Sequence, residues 1–126
     1  MRYQSELARA QGMGSAKSGT HHWWMQRITA IALLPLSFYL LQFLHLALTV
    51  PYSETQEWMQ QTLNSAALIL WIIAVCYHAA LGLQVVYEDY ISRIGLRMTM
   101  VWLTHLIFIG LAVTAVIAIL NLVFAG

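Results

Sequence analysis

The stretch LNSAALILWIIAVCYHAALGLQVVY, residues 63–87, carries no charged side chain and is longer than the ~20 residues a helix needs to cross a hydrocarbon core. Two further uncharged runs flank it. One lies between Arg27 and Glu54, and its apolar part, residues 28–50, would reach about 34 Å at ~1.5 Å per residue. The other runs from Met98 to the C-terminus. The pattern predicts an all-α fold, a bundle of three transmembrane helices over residues 28–50, 63–87 and 98–124. All three runs are full length, which disfavours a helical hairpin with one re-entrant segment.

Composition agrees. Of 126 residues 60% are apolar and 9% charged, against roughly a quarter charged in an ordinary soluble domain. Six basic and five acidic side chains could not keep such a chain in water once a core was filled. A net charge of +1 with no basic cluster excludes a nucleic-acid footprint and a polybasic lipid patch. The first run follows 27 polar or mixed residues and is too long for a cleavable signal peptide. The single cysteine, Cys76, has no disulfide partner in the chain and reads as a packing residue. No internal repeat is present.

Lys and Arg favour cytoplasmic loops. Arg2, Arg9, Lys17 and Arg27 precede the first span, Arg93 and Arg97 separate the second from the third, and the loop at 51–62 carries Glu54 and Glu57 with no basic residue. The N-terminus is therefore expected in the cytoplasm and the C-terminus outside. Trp23, Trp24, Trp58 and Trp102 stand where aromatic belts form. Residues 1–20, with Gly12, Gly14, Ser15, Ser18 and Gly19, lack periodicity and are expected to be irregular, ahead of an anchor domain over 21–126.

Ionisable groups inside a span are costly, so His45, His78 and His105 are the candidate sites. His78 lies about 12 residues, or 18 Å, from the cytoplasmic end near Tyr90. Ala74 and Gly82, four residues to either side on the same face, clear space for a flat group such as haem. Small residues also let helices approach closely, so a plain interhelical hydrogen bond from His78 fits as well. Positions 78, 82, 85 and 89 form one stripe that places Asp89 about 20° around the helix from His78. Tyr90 follows with a phenol at the headgroup level, although a solvated loop is the default reading of the charge cluster Glu88, Asp89, Arg93 and Arg97. His45 reads as an outer-interface histidine and His105 as a packing one. His105 and His78 differ in expected depth by about four residues, or 6 Å, which leaves an intrachain two-histidine site open.

The segment His78-Ala79-Ala80-Leu81-Gly82-Leu83-Gln84-Val85-Val86-Tyr87-Glu88-Asp89-Tyr90 resembles the H-A-x-x-G-x-x-x-[VI]-x-x-D-Y signature of the cytochrome b-type hydrophobic membrane anchors of succinate dehydrogenases, the succinate:quinone oxidoreductases. His22 to Ile31, HWWMQRITAI, is similar to that family's H-x-x-x-x-R-x-T-A-[IL] entry into the first span. The resemblance implies that His78 is one axial ligand of haem b and that the other histidine comes from a second three-helix anchor subunit. It further implies that Arg27 reaches the haem propionates, that Tyr90 donates to a ubiquinone carbonyl, and that Asp89 shares that pocket. A flavoprotein and an iron-sulfur subunit would deliver electrons from succinate at the cytoplasmic face of the bacterial inner membrane, within the tricarboxylic acid cycle. The chain has no cysteine array and no Gly-rich dinucleotide motif, so it would be a non-catalytic part of the enzyme. A haem-free structural anchor and the anchor of a fumarate reductase are the competing readings.

Overall fold

The structure is a computed structural model that describes residues 16–125, and four helices account for nearly all of them. Helix α1 spans Ala16–Thr49, α2 Tyr52–Gln60, α3 Thr62–Tyr90 and α4 Ile94–Phe124. The three long helices are each apolar and long enough to cross a membrane, as the uncharged runs predict. Residues 16–20 are helical, which corrects part of the irregular segment expected over residues 1–20; the rest of it lies outside the described residues.

Helix α1 runs through Pro35, whose ring nitrogen has no proton to give the carbonyl four residues back. It ends where Pro51, with φ −60° and ψ 152°, pushes the preceding residue out of helical geometry. The Pro51 carbonyl then accepts from the Glu54 and Thr55 amides and starts α2, a helix where the charge pattern predicts only a loop. Thr55 and Met59, four residues apart, turn inward, and Met59 is 1% exposed. The α3–α4 connection is only three residues, Ile91 to Arg93, with no glycine needed because both flanking caps are extended rather than left-handed.

Helix α1 packs on α3 and α3 on α4, while the backbones of α1 and α4 stay apart. The long helices therefore stand in the order α1, α3, α4 with α3 in the middle, and α2 closes one end by touching all three. The densest packing sits at that α2 end, where Met59, Leu68 and Ile119 are buried and Tyr39, Phe43, Trp58 and Ile72 lean on them. Gln56 Nε2 donates to the Leu122 and Ala125 carbonyls at 3.1 and 2.7 Å, satisfying groups that the end of α4 would otherwise leave open.

The α1–α3 register is fixed by two bonds. Trp71 Nε1 donates to Ser37 Oγ at 3.0 Å, and His78 Nδ1 lies 3.0 Å from Thr29 Oγ1. The paired numbers sum to 108 and 107, so a residue i of α1 lies level with about residue 108 − i of α3. On the other side Tyr87 Oη and Thr104 Oγ1 are 3.0 Å apart, a sum of 191.

Candidate functional site

The charged side chains of the long helices, with His78 and His105, lie toward the end that carries Arg93 and Arg97, on either side of α3. His78 is half-buried, and its Nδ1 meets Thr29, which is 7% exposed. The Thr29 hydroxyl donates to the Met25 carbonyl at 2.7 Å, with a longer 3.2 Å contact to the Gln26 carbonyl. With that one proton on the Met25 carbonyl, the oxygen accepts from His78, an arrangement in which Nδ1 carries the ring proton. Nε2 then holds a lone pair and bonds to no described residue.

Gly82 lies one turn further along α3. A Cβ placed there would meet Gln26 Nε2 at 3.6 Å, an ordinary contact, so the bare surface at Gly82 seats the Gln26 side chain of α1. Gln26 Oε1 is buried without a hydrogen-bond partner. Ala74, one turn on the other side of His78, is half-buried on the same stripe.

Arg27 is two residues from Thr29, which turns it about 160° away from the face that meets α3. The register places it level with residue 81 (108 − 27), only about 5 Å along the axis from His78, deeper than a span opening at residue 28 implies. Its guanidinium reaches back over Trp23, 5.3 Å from the ring centroid, and pairs with no described carboxylate. Asp89 and Tyr90 stand at the end of α3, both exposed and without a hydrogen bond to a described residue; Tyr90 is 84% exposed.

The structure corrects the expected depth of His105. It lies level with about residue 86 (191 − 105), eight residues or about 12 Å from His78 rather than 6 Å. Its Nδ1 donates to the Val101 carbonyl at 2.8 Å, and the ring lines a cleft of about 310 Å³ with Gln84, Glu88, Arg97 and Trp102. His78 and His105 thus face different neighbours and do not form one site. His45 is exposed near the α2 end. A second cleft, of about 410 Å³ between α1 and α3, is lined by His22, Gln26, Gln84 and Glu88 among others. Among the described residues no group of three or more His, Cys, Asp or Glu is placed to hold a metal ion.

Thr29 and Gln26 join the site only in three dimensions. Thr29 stands inside the R-x-T-A element, but nothing in one chain's hydropathy says which α1 hydroxyl meets the α3 imidazole.

Three long apolar helices, with the charged side chains confined to one end and no charge in the other half of the spans, define a multi-pass membrane protein. Residues 1–119 match the family described as succinate dehydrogenase/fumarate reductase transmembrane subunit, and the chain belongs to that family. It is 40% identical over 120 residues to the succinate dehydrogenase hydrophobic membrane anchor subunit of Rickettsia bellii, covering 93% of this chain and 94% of that one. The Rickettsia conorii protein of the same name is 36% identical over 118 residues with the same coverage. The succinate dehydrogenase membrane anchor subunit of Reclinomonas americana is 30% identical over 96 residues, covering 74% of this chain and 80% of its own. No solved structure matches the chain.

Proposed function

We propose that this chain is the hydrophobic membrane anchor of a succinate dehydrogenase, that His78 is one axial ligand of a haem b shared with a second anchor subunit, and that Tyr90 and Asp89 help form the ubiquinone site. The observation that carries the haem reading is His78 itself: an imidazole deep in a span, with Nδ1 held by a hydroxyl and Nε2 free. That is the donor set an axial ligand needs. With no second histidine facing it in this chain, the opposite ligand falls to the partner. Arg27 suits the propionates, because a guanidinium at that depth that pairs with no described carboxylate can take an anion from outside. Gly82 contributes by seating the Gln26 side chain of α1 against α3, and Ala74, half-buried on the same stripe, by keeping the surface beside the His78 ring small.

When bound, haem b supplies a one-electron relay within the membrane. The chain's own residues dock the iron-sulfur and flavoprotein subunits, orient the ligand ring, and present donors to a quinone. A phenol such as Tyr90 strengthens its bond as a quinone oxygen gains charge, and quinone reduction takes up two protons with two electrons. The relatives named above are all succinate dehydrogenase subunits, which does not favour fumarate reductase.

The Thr29–His78 bond also favours a second reading, a haem-free anchor in which His78 only pins α3 to α1. Purified complex separates the two. Wild-type complex should show reduced-minus-oxidised haem b absorption, and His78→Ala should abolish it while the subunits stay together. An unchanged spectrum in the variant would sink the ligand assignment; no haem in the wild type would establish the pin.

A further inference from the structure

We infer that Thr29 is a positioning residue for His78: its hydroxyl fixes which imidazole nitrogen is free to ligate and sets how strongly that nitrogen donates. The inference rests on the haem reading above and goes beyond it by assigning a role to a residue of the first span.

Hydrogen-bond direction carries the inference. A hydroxyl has one proton, and Thr29 spends it on the Met25 carbonyl at 2.7 Å within its own helix. What remains is an acceptor, 3.0 Å from His78 Nδ1. The reverse arrangement, with Thr29 donating to an unprotonated Nδ1, would abandon the Met25 bond and put the ring proton on Nε2, where it blocks coordination. The Met25 bond therefore favours the ligating tautomer.

Two further observations hold the acceptor in place. Thr29 is 7% exposed, so water does not compete for the bond. The Trp71–Ser37 bond, about two turns away along the same interface, fixes the register that brings the two side chains level. An acceptor on the far nitrogen makes an imidazole a stronger donor to iron and favours the oxidised metal, and loss of such a partner commonly lowers affinity about 10- to 100-fold.

The test uses purified whole complex carrying Thr29→Ser, which keeps the hydroxyl, and Thr29→Val, which keeps the shape and removes the acceptor. The readouts are haem content and the haem midpoint potential from a redox titration. Thr29→Ser should match wild type in both, while Thr29→Val should bind haem less tightly and titrate at a more positive potential. If Thr29→Val does not assemble, Thr29→Cys decides, because a thiol is nearly the same size and a weak acceptor; its midpoint should move the same way. A midpoint and content equal to wild type in the assembled variant overturns the inference. If His78→Ala removes haem while the Thr29 variants change nothing, only the role of Thr29 fails; if His78→Ala keeps its haem, the ligand reading fails first.

Discussion

Tyr87 Oη and Thr104 Oγ1 lie 3.0 Å apart and join α3 to α4 through the one side-chain hydrogen bond found between these two helices among the described residues. Thr104 is 7% exposed, so its hydroxyl has little access to water if the phenol is lost. It has a fallback, because threonines in these helices return their protons to the carbonyl four residues back, as Thr29, Thr99 and Thr114 do.

Tyr87→Phe is therefore expected to cost little, about 1 kcal/mol or less, in keeping with the ~0.6 kcal/mol average for polar bonds between membrane helices. Thr104→Val should cost a similar amount, and the double variant should cost less than the two together. Denaturant titration of the complex in mixed micelles measures the coupling. Strict additivity would mean the bond contributes nothing in the assembled protein.

Gly82 separates two accounts of the small residues beside His78. If Gly82 cleared space for a ring, any added carbon would displace haem. The Gln26 amide already covers it at 3.6 Å from where a Cβ would stand, so Gly82→Ala should keep wild-type haem absorption and stability. Gly82→Leu should force Gln26 away, part α1 from α3, and break the Thr29–His78 bond, giving loss of haem together with lower thermal stability. Loss of haem in Gly82→Ala with stability unchanged would restore the clearance account.

Hydropathy makes the three spans readable because the bilayer penalises each charge, and the uncharged runs are long enough to admit no other fold. The register between spans is not readable in the same way. It depends on single polar atoms, Thr29 against His78 and Ser37 against Trp71, each hidden in an apolar run with several equivalent neighbours. That is why residue counting puts His105 near the depth of His78, whereas it lies about two turns away. It is also why counting puts Arg27 at the membrane surface, whereas it sits beside the turn that follows His78. Helix α2 is hidden because Glu54 and Glu57 mark its sequence as a loop, while its inward pair, Thr55 and Met59, has meaning only once the ends of the long helices frame it. The candidate site is legible in its chemistry, since His78, Asp89 and Tyr90 carry the family signature, but its supporting atoms are not.

Tyr90 is 84% exposed at the end of α3, its side chain without a hydrogen-bond partner among the described residues, and Asp89 beside it is exposed as well. An aromatic hydroxyl left open at the end of a span neither packs the fold nor caps the helix, since the Tyr87 carbonyl is already taken by the Ile91 amide at 2.9 Å. Its removal should therefore leave the subunit folded. Tyr90→Phe is expected to slow electron transfer from succinate to ubiquinone by about 10-fold or more, the scale on which a lost donor to a developing oxyanion is felt, with succinate oxidation by an artificial acceptor and haem content unchanged. Parallel assays of the two activities on the same purified complex check this. Equal loss of both would assign Tyr90 to docking of the soluble subunits, because only a break upstream of the quinone slows both acceptors alike.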